Sequence, residues 1–213
     1  MVRIVGAFGG ADQGREGRGA RVGKERLLAF TDGVIAVIIT IMVLELRPPQ
    51  GVDLAALRGL APTFLAYVLS FVYVAIYWNN HHHFFQLVRS VNGAILWANA
   101  NLVFWLSLVP FTTAWMGAHP FDPIPTAVYG ASLLMPALAW SLLHWTIGRQ
   151  PGAGEDLTAA LGANWKGRIS PVLYLCGVGA AFLSPRLADA FYAGVALMWL
   201  RPDRRIERRV GMG

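Results

Sequence analysis

Between Leu27 and Leu46 the chain reads LLAFTDGVIAVIITIMVLEL, and after Asp32 no charge appears until Glu45. These 20 residues at about 1.5 Å rise each make roughly 30 Å of helix, the thickness of a bilayer's hydrocarbon core. The run stops at Arg47-Pro48-Pro49, which cannot continue a helix. Five further apolar segments follow, at about 60–78, 92–115, 125–147, 169–183 and 187–200. The second ends in Asn79-Asn80-His81-His82-His83, the fourth carries Pro136 as an expected kink, and the last two are short for spanning. Ser184-Pro185-Arg186 is read as a hairpin between them, with one bent helix as the rival. The pattern predicts an all-α, polytopic membrane protein with six transmembrane helices.

Composition agrees with that class. Of 213 residues, 55% are hydrophobic and only 14% charged, against roughly 25% charged in soluble domains. A net charge of +6 admits a nucleic-acid partner, but the basic residues flank apolar spans, where they act as topology anchors, so none is expected. The single cysteine, Cys176, lies in an apolar run and allows no disulfide within the chain. Residues 1–25 are Gly- and Arg-rich without a signal-peptide core and read as a disordered basic cytoplasmic tail. Residues 26–200 form the transmembrane domain, and 201–213 a second basic cytoplasmic tail.

Charge orients the chain. With the N-terminus inside and six alternating spans, the inner segments hold 15 of the 18 Lys and Arg, and the outer ones hold Arg47, Arg58 and Arg186. Such a positive-inside bias places both termini in the cytoplasm. Trp78, Trp115, Trp145, Trp165 and Trp199 fall near span ends, as interfacial aromatic belts do.

Within the first helix, Val37, Ile41 and Leu44 recur at i, i+4 and i+7 on one face. Phe30 and Gly33 extend this stripe and Thr40 flanks it. Asp32 lies about 140° from Val37 and Thr31 about 120° the other way. Taken alone, the stripe is ordinary helix packing. Three consecutive histidines splay over about 200° of a helix, whereas helix-borne metal ligands converge at i, i+3 or i+4. No metal is therefore expected. Buried polar groups need partners. Asp32, one of His81, His82 and His83, and Asn92 or Asn99 are expected to form a cytoplasmic-side network that holds the first helix in place. No nucleophile–base pair, HExxH, phosphate loop or TVGYG filter occurs, so neither an enzyme nor a cofactor is expected.

Arg26-x-x-x-Phe30-Thr31-Asp32-Gly33 resembles the Arg-x-x-x-Phe-Ser-Asp signature of the transmembrane protein 175 family, the lysosomal and prokaryotic potassium channels. Thr31 replaces Ser and keeps the hydroxyl. The Asn-His cluster, Pro110-Phe111-Thr112 and the closing Trp199-Leu200-Arg201-Pro202 are similar to prokaryotic members. The resemblance covers about residues 24–209 as one six-helix repeat, the form in which four copies assemble. It implies a homotetramer in a prokaryotic plasma membrane, with the first helix of each subunit lining a central pore. Selectivity for permeant potassium would come from an apolar constriction at Val37, a hydroxyl ring at Thr40 and further rings at Ile41 and Leu44. Val37 is smaller than the Ile or Leu usual in the family, so Ile41 or Leu44 is an alternative narrowest point.

A secondary transporter is the competing reading from another class. It needs a polar site at the midplane, where the first helix is apolar. A membrane enzyme built on the histidines lacks a converging set of acid, base and ligand.

Overall fold

A computed structural model of the chain describes residues 9–150 and 165–200, with side-chain environments from Gly23 onward. The described residues form eight helices and no strand: α1 (Gly9–Leu44), α2 (Leu54–Gly59), α3 (Ala61–Gln86), α4 (Gly93–Ser107), α5 (Val109–Ala118), α6 (Pro123–Gly148), α7 (Trp165–Ala181) and α8 (Pro185–Leu200). The expected C-terminal tail at 201–213 and most of the loop after α6 lie outside the described residues.

Local chemistry sets many of the boundaries. The Asp53 carboxylate accepts from the Ala56 amide at 2.8 Å and caps α2, and Asn92 accepts from Ile95 at 3.0 Å and caps α4. Prolines occupy the first turns of α3, α5 and α6, where a missing N–H costs nothing. Pro110 also accounts for the break at Leu108 inside the third expected span, because it offers no amide to the preceding turn. The second span runs beyond its expected end, so the histidine cluster is helical. α1 likewise departs from the sequence reading, since it begins at Gly9 where a disordered tail was expected. Extending an existing helix gains one bond per residue ordered, whereas starting one orders three.

Four stretches are long and apolar enough to cross a membrane: Gly23–Leu44, Ala61–Gln86, Gly93–Ala118 and Pro123–Gly148. α7 and α8, of 17 and 16 residues, reach only about 25 Å each at 1.5 Å per residue. They form a hairpin rather than one bent helix. Trp199 donates to Ser170 at 2.9 Å, and Tyr192 packs on Gly177. Both contacts fit one antiparallel register. The turn between them is closed by the amides of Leu183 and Ser184 bonding Ala180 at 3.0 and 2.8 Å.

Helix direction alternates through the bundle. Lys24 at the start of the apolar part of α1 reaches Val88 past the end of α3, and Thr63 at the start of α3 meets Gly117 at the end of α5. The histidine end therefore gathers Lys24, Arg89, Arg149 and Lys166, and the other end Arg47, Arg58 and Arg186. Interfacial cation–aromatic pairs occur at both ends. The Arg149 guanidinium sits 3.9 Å over Trp145 and that of Arg186 4.9 Å over Phe121.

Two cores share α3 and α6. One joins α1, α3, α4 and α6 around Ile35, Ile38, Phe85, Leu102 and Leu143. The other joins α3, α6, α7 and α8 around Tyr73, Tyr129, Tyr174 and Tyr192. In a lipid environment such contacts hold by close packing and interhelical hydrogen bonds rather than by exclusion of water. Tyr192 illustrates both. Its side chain lies between Gly130 and Gly177, where an added Cβ would run into the hydroxyl at Gly130 and come within 2.5 Å of the ring at Gly177. Its hydroxyl donates to the Thr126 carbonyl at 3.2 Å.

Candidate permeation face and polar network

α1 packs with one side only. Ile35, Ile38 and Met42 are 3%, 2% and 2% exposed, while Val37, Ile41 and Leu44 are 56%, 43% and 73% exposed. Phe30, Gly33 and Thr40 lie on the same open face. The periodicity places both sets: a step of one residue turns 100°, so Val37 and its neighbour Ile38 point to different surroundings. Thr40 donates its hydroxyl proton to the Ala36 carbonyl at 2.8 Å. Its oxygen therefore turns only lone pairs toward the open face, which suits a cation.

At the histidine end a polar chain is buried behind that face. Asn99 on α4 donates from Nδ2 to Thr31 Oγ1 at 2.9 Å. Its Oδ1 lies 2.8 Å from His81 Nε2. An amide oxygen only accepts, so His81 carries its proton on Nε2. All three side chains are buried. The His81 ring is further fixed by Phe85, with centroids 4.4 Å apart.

The structure brings together only part of the expected network. Thr31, rather than Asp32, joins the histidine and the asparagine. Asp32 faces outward enough to accept from Trp78 Nε1 at 3.0 Å in an exposed contact. Asn92 is spent on capping α4 and is exposed. His82 is exposed and bonds Gln86 at 3.2 Å, and His83 has a buried Nδ1 without a hydrogen-bond partner. Arg26 and Phe30, which open the signature, are exposed. Among the described residues no three His, Cys, Asp or Glu side chains converge to hold a metal.

Two participants escaped the sequence reading. Lys24 donates from Nζ to the Val88 carbonyl at 2.9 Å, binding α1 to the end of α3 where helix carbonyls are short of donors. Trp78, placed by the sequence near a span end, is also the partner of Asp32. A tryptophan and a carboxylate on neighbouring spans at the same depth was the available signal.

Comparison with known proteins places this geometry. Residues 26–110 match the family model described as the endosomal/lysosomal potassium channel TMEM175. A potassium channel of Chryseobacterium sp. (strain P1-3) is 51% identical over 185 residues, covering 87% of this chain and 96% of that one. A potassium channel of Streptomyces collinus is 30% identical over 185 residues, covering 82% and 90%. The crystal structure of a lysosomal potassium-selective channel TMEM175 homologue from Chamaesiphon minutus superposes with a TM-score of 0.73 at 29% identity, covering 84% of this chain and 97% of that one.

Proposed function

This chain belongs to the TMEM175 family, and from that premise we propose that it is a potassium-permeable channel whose pore is lined by α1 of four identical subunits. The observation that carries the reading is the open apolar stripe of Val37, Ile41 and Leu44 on a helix that packs through Thr31, Ile35, Ile38 and Met42. Four copies around an axis turn each stripe residue into a ring. A narrow apolar ring makes a cation shed water and closes by dewetting when it is not occupied. The lone pairs of Thr40 supply a compensating oxygen ring beside it. The Thr31–Asn99–His81 chain is the device that holds α1 against α3 and α4 so that the stripe faces the axis. The protein is multi-pass, in our reading in a prokaryotic plasma membrane with both termini cytoplasmic.

The test is ion flux through purified protein in liposomes loaded with potassium or sodium, paired with planar-bilayer recording. Discrete current steps with a potassium-favouring reversal potential are expected. Saturable flux without unitary steps would mean a carrier and end the channel reading.

A further inference from the structure

At the end of the bundle away from the histidines, a groove of about 540 Å³ opens between the end of α1, the first turn of α3 and the last two turns of α5. Leu60, Phe111, Trp115 and Ala118 line it, and Glu45 and Arg47 also border it. The Thr63 hydroxyl, also on the groove, is already committed to the Gly117 carbonyl at 3.0 Å. Glu45 and Arg47 are the charged groups along it. Among the described residues no ion pair joins them to each other or to anything else. Their spacing is held by the turn that ends α1, in which the Arg47 amide bonds the Glu45 carbonyl at 3.0 Å.

Depth orders these features. Arg47 follows the last helical residue of a membrane span, so the charges lie at headgroup level, where Trp115 is also favoured. Phe111 is seven residues before Ala118 on α5, about 10 Å further into the hydrocarbon at 1.5 Å per residue. The groove thus offers one positive and one negative group at its rim and an exposed apolar channel below.

We propose that this groove holds a phospholipid of the ethanolamine headgroup class, with its phosphate on Arg47, its ammonium on Glu45 and an acyl chain along Leu60 and Phe111. The charge pair selects the headgroup. An ammonium of ethanolamine has three N–H donors for the Glu45 carboxylate, whereas a choline has none. A glycerol headgroup satisfies Arg47 but leaves Glu45 beside an anion without a cation. The inference rests on the membrane placement of the helices and not on ion conduction.

Native mass spectrometry tests it on the intact protein exchanged into nanodiscs of equal phosphatidylethanolamine, phosphatidylcholine and phosphatidylglycerol. The ethanolamine lipid should be retained about tenfold over either rival, a ratio that one charge-assisted hydrogen bond sustains. Glu45→Gln should transfer the preference to phosphatidylglycerol, Arg47→Gln should abolish retention of all three, and Ala118→Trp should do so by filling the groove. Equal retention of the three lipids, or an unchanged preference in Glu45→Gln, overturns the proposal. So does a photo-crosslinker at Ala118 that captures a second copy of the chain instead of lipid.

Discussion

Trp78 donates its indole N–H to Asp32 at 3.0 Å in an exposed contact, while Thr31, one residue earlier, is buried against Asn99. The acid of the signature is thus a surface partner of α3 and the hydroxyl is the interior one. Asp32→Ala should lower the melting temperature of the detergent-purified protein by an amount equivalent to under about 1 kcal/mol, as for one exposed hydrogen bond. Trp78→Phe should do the same, and the double variant should lose no more than either single one. Fully additive losses would mean that the bond contributes nothing.

Asn99→Ala breaks two bonds at once and leaves Thr31 and His81 buried without their partner. Hydrogen bonds between membrane helices average about 0.6 and reach about 1.7 kcal/mol, so a combined loss of roughly 1–3 kcal/mol is expected. It should exceed the Asp32→Ala loss in the same melting assay. Asn99→Asp retains an acceptor for His81 and should recover part of it.

Val37→Asn, Ile41→Asn and Leu44→Asn place amides on the open face and should leave folding intact, because no packed neighbour is lost. In bilayer recordings at least one of them should raise conductance and weaken the preference for potassium, since a hydrated ring no longer dewets. Ile38→Ala and Met42→Ala should instead cost about 2–5 kcal/mol, the range for emptying a packed site, with unchanged reversal potentials in the protein that survives. Shifts of reversal potential confined to the buried set would place the pore elsewhere.

Thr40→Val keeps the volume and removes the oxygen beside the stripe. We expect a smaller potassium current and a lower potassium-to-sodium ratio, whereas Thr40→Ser, which retains the hydroxyl, should behave as the wild type. Equal selectivity in all three proteins would remove Thr40 from the permeation path.

Gly177→Ala forces a Cβ to within 2.5 Å of the Tyr192 ring. Overpacking of this kind costs about 1–3 kcal/mol, and a comparable drop in thermal stability is expected. Gly179→Ala two residues away meets nothing within 4 Å and should be neutral or slightly stabilising, since Ala favours helix. Identical melting of the two variants would show that the ring moves aside freely.

The choice between a hairpin and one bent helix at Ser184-Pro185 was made by the contacts of Trp199 with Ser170 and of Tyr192 with Gly177. The one-dimensional pattern was sufficient for the helical class, the four long apolar spans, the end of the first span before Pro48-Pro49 and the asymmetry of charge between the two ends. Each follows from a quantity that sequence carries directly: the length of an uncharged run, the missing amide of a proline, the count of basic residues between spans. In a bilayer no water is present to satisfy a bare backbone, so a long apolar run has no alternative to the helix. The face of α1 was legible as a stripe, but its periodicity was equally that of a packing seam. Only the position of α3, α4 and α5 decided that Ile35, Ile38 and Met42 pack inward and Val37, Ile41 and Leu44 stay open. The same holds for the network. Thr31 and Asp32, or His81, His82 and His83, are near-equivalent in sequence and differ by 100° steps around a helix. Which of them turns toward a partner is fixed by where the partner helix lies. No spacing within the chain marks Gly130 and Gly177 as contact points, because the side chain that needs their missing Cβ atoms, that of Tyr192, belongs to another helix and reaches both of them only in the folded bundle.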